Sequence, residues 1–142
     1  MKWAFTAAKS GDIVRVRLNS FYHYGIFVSD GEVIQFGHPL KDAQMPVGEI
    51  SVHAVSIADF AAGRPVEVGC LSSAEKLRRI PRRKTVSMAR EAIGQKGYDL
   101  LRSNCEHFAT KCVFGVPTCS AVDEMRRRVR MMMPDKRNGG SD

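Results

Sequence analysis

Apolar and polar residues alternate from Ile13 to Leu18, with Val14, Val16 and Leu18 set against Arg15 and Arg17. A period of two predicts a half-buried strand, and Lys9-Ser10-Gly11-Asp12 before it reads as a turn. Tyr22 to Val28 is predicted as a second strand and Glu32 to Phe36 as its return. Between them, Ser29-Asp30-Gly31-Glu32 holds the Asp-Gly pair that favours a tight hairpin. His23 lies seven residues before Asp30 and Gln35 four after Gly31, so a bulge is needed to make them neighbours across the hairpin. A proline-containing loop follows from Gly37 to Gly48, then a strand from Glu49 to Ser56. Ser56 is placed to cap a short helix that stops at Gly63. Pro65 to Gly69 is predicted as one more strand, and Ser72 or Ser73 caps a short helix ending before Pro81.

The pattern then changes. Val86, Ala89, Ala92 and Ile93 recur at helical spacing, opened by Thr85 or Ser87 and closed by Gly94 or Gly97. Asn104 is a strong N-cap residue, and a helix starting at Cys105 turns Phe108 and Cys112 inward before Gly115 and Pro117 stop it. A last helix is expected from Ser120 to Pro134, with Val122, Met125, Val129 and Met132 forming an apolar stripe that packs on the core or, beside its arginines, lies on a membrane surface. Strands first and helices after give an α+β class built on an antiparallel sheet. One domain spans 1–133, with its core at about 9–124 and a polar, glycine-rich tail at 134–142.

Composition narrows the class without naming the chemistry. The 142 residues hold no apolar run long enough to span a bilayer and no secretory-type leader, so a cytoplasmic protein is expected. Cys70, Cys105, Cys112 and Cys119 form no C-x-x-C pair, so no metal site is predicted and no cofactor is expected. Cys70, Cys112 and Cys119 are read as packing thiols. The net charge of +7 is concentrated in two basic runs, Lys76 to Lys84 and Arg126 to Arg130. These suit peripheral contact with an anionic membrane surface, or else form solvated faces. No aromatics are interleaved with them, which disfavours a single-strand nucleic-acid groove.

Cys105 is the candidate nucleophile. A thiol attacks acyl carbon as thiolate, and both a helix N-terminus and a nearby imidazolium favour that form. First-turn N–H groups also suit a developing oxyanion. Of four histidines, His107 sits two residues along the same helix, His38 in a loop and His53 on a strand with no further support. His23 stands beside Tyr24-Gly25, where the glycine allows another element to approach. Gln35 on the partner strand is placed to fix its tautomer, as Asn does in Cys-His-Asn sites.

Asn104-Cys105-Glu106-His107-Phe108 resembles the nucleophile motif of the lecithin:retinol acyltransferase-like family, a branch of the circularly permuted papain-like proteins. Gly11-Asp12-Ile13-Val14, His23-Tyr24-Gly25-Ile26-Phe27-Val28 with Asp30-Gly31, Tyr98 to Leu101 and Phe114-Gly115 resemble it too, so the likeness runs from about Lys9 to Glu124. It implies a permuted papain-like fold in which Cys105 carries the acyl group and His23 is base, then acid. The implied donor is a phospholipid and the acceptor an alcohol, amine or water. Animal members usually carry a second histidine twelve residues after the first; here that position is Gln35, which can orient His23 but cannot titrate. His107, inside the motif, is read as structural. Retinol is not expected as acceptor.

The expected function is therefore cysteine-dependent acyl transfer or phospholipase-like hydrolysis through a thioester. A thiol peptidase or amidase would use the same residues. A non-catalytic binding module of this fold is the third reading, kept by Gln35. The expected partners are an acyl-lipid or acyl-amide substrate and an anionic membrane surface, not nucleic acid.

Overall fold

The computed structural model describes residues 1–38, 41–99, 104–118 and 127–132. It is an α+β fold in which one antiparallel sheet is formed first and helices cover it afterwards. The strands are β1 (Lys2–Ala4), β2 (Asp12–Leu18), β3 (Phe21–Ser29), β4 (Glu32–Phe36), β5 (Val52–Val55) and β6 (Val66–Cys70), in the order β1-β6-β2-β3-β4-β5. The helices are α1 (Ile57–Ala61), α2 (Ser73–Arg78), α3 (Arg82–Glu91) and α4 (Cys105–Phe114).

The β3–β4 hairpin contains the bulge that its spacing demands. Ser29 pairs with Glu32 and Phe27 with Val33, leaving Val28 as the extra residue. The slip sets Gly25 opposite Gln35, one diagonal step from His23. β1 has no counterpart in the sequence reading. Three residues are too short to show a period, and β1 is a strand because β6 offers an edge to Lys2–Ala4. The strand expected from Glu49 shrinks to Val52–Val55, because Val47–Glu49 closes a 3₁₀ turn after Pro46.

Side chains alternate across the sheet and build two cores. Ile13, Tyr24, Ile26, Ile34 and Phe36 pack with Cys105, Phe108, Ala109 and Cys112 of α4 and with Ala89 of α3. Val14, Val16, Phe27, Val33 and Val68 pack on the other face against Phe60 of α1. Phe60 fits because Gly25 has no Cβ; one built there would lie 2.8 Å from the Phe60 ring.

Helix ends follow the caps, with three exceptions: the end of α1, the start of α3, and the end of α3, whose C-cap is Ala92 and not Gly94 or Gly97. Ser56 accepts from the N–H of Asp59, and Ser72 with Glu75 forms a capping box. α1 ends at Ala62 in the left-handed region, one residue before the expected Gly63. α3 starts at Arg82, not at Thr85 or Ser87: Pro81 is its N-cap, with non-helical backbone, and its carbonyl accepts the first helical bond from the N–H of Thr85 at 3.0 Å. Arg82 also closes the β2 turn, donating to Asp12 at 2.6 Å and to the carbonyl of Ser10. Gly11, at φ 90°, lies directly under it, and a Cβ there would meet that of Arg82 at 2.8 Å.

Residues 127–132 are helical, but Val129 and Met132 are exposed at 48% and 83%, so this part of the expected apolar stripe does not pack on the core. The first part of that helix and the tail at 134–142 lie outside the described residues. Cys112 is a packing thiol, pushed up to about 12 by burial. Cys70 is exposed at the end of β6, against expectation, and Cys119 lies outside the described residues. Among the described residues no helix is long and apolar enough to cross a membrane.

Candidate active site

Cys105 is the first residue of α4, as the motif requires. Asn104 caps it: its Oδ1 accepts from the N–H of Glu106 and of His107, both at 3.0 Å. His107 returns the contact, its Nδ1 accepting from the N–H of Asn104 at 3.3 Å. The two residues form a capping box, which is the structural role expected of His107. The cap changes one expectation. The N–H groups of Glu106 and His107 are occupied by Asn104, so they are not donors for an oxyanion in this state. Cys105 is buried in the cluster that contains Tyr24, Phe108 and Ala109.

His23 lies on the opposite face of β3 from Tyr24, because neighbouring strand residues point to opposite sides. Its ring is 1% exposed and packs at 5.2 Å from Phe60. Its Nε2 lies 2.7 Å from Oε1 of Gln35, which is itself fully buried. Gln35 thus lies within hydrogen-bond distance of His23, where the sequence allowed the two to be neighbours. His23 Nδ1 is buried and has no hydrogen-bond partner. The structure thus brings His23 to Gln35 but does not join Nδ1 to Cys105 by a hydrogen bond. Burial pushes the imidazole down to about 4, against the raising effect of Gln35; His38 and His53 add to the lowering. His23 is consequently a neutral, proton-accepting ring at ordinary pH.

Two further histidines approach this face. Gln35 Nε2 lies 2.9 Å from Nε2 of His53, and His53 Nδ1 lies 3.1 Å from the carbonyl of Ser51. The signal for His53 was its place on the strand next to Gln35, but only the observed pairing of Gln35 with His53 shows it. His38, expected in a loop, is buried there, with Nε2 at 3.2 Å from the Asp59 carbonyl and its ring 6.3 Å from His23.

Among the described residues, cavities open on both sides of α4. One of about 300 Å³ is lined by Trp3, Arg15, Tyr24, Glu106 and Thr110, among others. There Arg15 is stacked between the rings of Trp3 and Tyr22 and paired with Glu67 at 3.2 Å. Burial, with Glu106 nearby, raises Tyr24 to about 12, so it stays a neutral phenol. The other, about 340 Å³, lies between α3 and α4 against Phe36, Met88, His107 and Phe108. Among the described residues no cluster of side chains suits a metal ion.

Residues 6–118 match the family model described as lecithin retinol acyltransferase. The chain is similar to the rat lecithin retinol acyltransferase, 26% identical over 150 residues, covering 90% of this chain and 64% of that protein. The human protein of that name is also 26% identical, over 147 residues with the same shares. Human phospholipase A and acyltransferase 4 is 29% identical over 132 residues, covering 85% of this chain and 79% of that protein. The chain thus spans just under two thirds of the lecithin retinol acyltransferases it matches. With a match that covers most of its length, this chain belongs to the lecithin retinol acyltransferase family.

Proposed function

We propose that this protein transfers acyl groups from phospholipid to water or to a second acceptor through a thioester on Cys105. The names of its relatives, lecithin retinol acyltransferase and phospholipase A and acyltransferase, support the substrate class. The observation that carries the reading is a thiol at the first position of a capped helix, in the same chain as a buried neutral imidazole with Nδ1 unpartnered.

In the proposed sequence His23 Nδ1 takes the thiol proton as sulfur attacks the ester carbonyl. The S–C bond forms, the C–O bond breaks, and the imidazolium returns its proton to the departing lysophospholipid oxygen. Water or an acceptor hydroxyl or amine then gives its proton to Nδ1 as it attacks the thioester carbonyl; the new C–O or C–N bond forms, the C–S bond breaks, and the imidazolium returns the proton to the Cys105 sulfur. Because His23 is neutral above about pH 4, the free protein does not store a thiolate–imidazolium pair; proton transfer accompanies attack. The thiol and Nδ1 share no hydrogen bond in the free chain, and Cys105 packs with Tyr24 while His23 packs with Phe60 on the other face of β3, so the reading requires a rearrangement that brings the two together when the donor binds.

An anionic lipid surface is the proposed location of the donor. Arg79 and Arg82 are committed to the carbonyls of Gly11 and Ser10. Lys76, Arg83 and Lys84 remain exposed, and Leu77 beside them is 89% exposed. A lone exposed leucine among cations suits the interface of a bilayer.

The test is trapping of a hydroxylamine-sensitive acyl adduct by intact mass after mixing with phosphatidylcholine vesicles containing phosphatidylserine. Wild type should acquire one acyl mass, and Cys105→Ala and His23→Ala should not. Wild type that never labels, while it hydrolyses peptide amides, would replace the lipid reading with the peptidase one. Wild type inert to both would leave a binding module.

A further inference from the structure

The chain of contacts from Ser51 to His23 fixes more than position. The carbonyl of Ser51 can only accept. It already takes the N–H of Gly37 at 2.9 Å, and its second lone pair faces His53 Nδ1 at 3.1 Å. His53 Nδ1 must therefore carry a proton, and in a neutral ring its Nε2 then carries only a lone pair. The group of Gln35 that faces this lone pair, at 2.9 Å, has to be the amide nitrogen, which donates. The amide oxygen is thereby turned toward His23 at 2.7 Å, where it can only accept. His23 must hold its proton on Nε2, and Nδ1 is left bare. Each step follows from one backbone carbonyl, whose role cannot invert.

We infer that His53 is a positioning residue: through Gln35 it holds His23 in the tautomer whose Nδ1 can accept a proton. Gln35 by itself cannot do this. Its amide is symmetric in shape and, with nothing behind it, presents nitrogen or oxygen to His23 with similar ease. A glutamine facing the candidate base thus needs a third group to choose its orientation, and His53 with Ser51 supplies that choice. The inference rests on His23 as the base, but its readout is the proton's place on the ring and not turnover.

The experiment is long-range ¹H–¹⁵N correlation on the ¹⁵N-histidine protein at pH 8, with His23 assigned by loss of its signals in His23→Asn. In wild type, His23 should show a protonated Nε2 and a bare Nδ1, and His53 the reverse. In His53→Lys the introduced ammonium only donates. Gln35 should then turn, and the His23 proton should move to Nδ1. Wild-type His23 protonated on Nδ1, or His53 protonated on Nε2, overturns the inference, and so does a folded His53→Lys protein with an unchanged His23 pattern. Should that variant not fold, the two wild-type patterns decide. The fate of the catalytic reading is separate: acyl trapping can fail while the tautomers are as stated.

Discussion

The two faces of the sheet solve different problems with the same strands. Toward α4, Ile13, Ile26, Ile34 and Phe36 make an ordinary apolar core that seats the first turn of the Cys105 helix. Toward α1, an apolar layer around Phe60 encloses three polar side chains, His23, Gln35 and His53, hydrogen-bonded in a row. Burying polar groups costs free energy unless each is paired. The row is satisfied except at His23 Nδ1, and that one exception is where proton transfer is proposed. One face is therefore specified by shape, and the other by shape together with the direction of every donor.

The largest expected effect separates these roles. Phe60→Ala and Phe108→Ala each remove a buried ring and should each cost about 3–5 kcal/mol in urea unfolding. Only Phe60→Ala should also admit water beside His23 and raise its pKa from about 4 toward 6.5 in an NMR titration. Equal responses of His23 to both variants would break the distinction between the faces.

The next effect is pH dependence. His23 takes its proton near 6.5 when unfolded and near 4 when folded, so between these values the unfolded chain binds more protons. Its contribution to stability is full above about pH 6.5 and is lost as pH falls toward 4, by about 3 kcal/mol at about 1.4 kcal/mol per pKa unit. Urea midpoints at pH 7 and pH 4.5 should show a smaller acid loss in His23→Gln than in wild type. An equal loss in both would assign acid sensitivity to other groups.

The smallest effect is a control outside both faces. Lys96 and Glu49 pair at 2.9 Å with side chains more than half exposed, so Lys96→Ala should change stability by less than about 0.5 kcal/mol. A larger change, read by the same urea curves, would mean that the loop bearing Glu49 helps hold β5.

Much of this was legible along the chain. The alternation at Ile13–Leu18, the Asp-Gly turn with its required bulge, and Asn104 ahead of Cys105 are local signals, and each appears where the pattern puts it. Thr85 and Ser87 have the chemistry of helix caps, yet α3 starts earlier, with Pro81 as its N-cap. The fit of Phe60 over Gly25 was legible only as a glycine on a strand.

The sequence by itself determined the class of fold, the family motif and the placement of Cys105 at a helix start. Those depend on spacing and on residue chemistry within short segments. The tertiary structure alone decided that β1 exists, that the bulge brings Gln35 to His23, and that His53 stands behind Gln35. It also decided that His23 and Tyr24 serve different cores. These depend on which strands become neighbours and how they are registered, and a one-residue slip would exchange every side chain between the two faces.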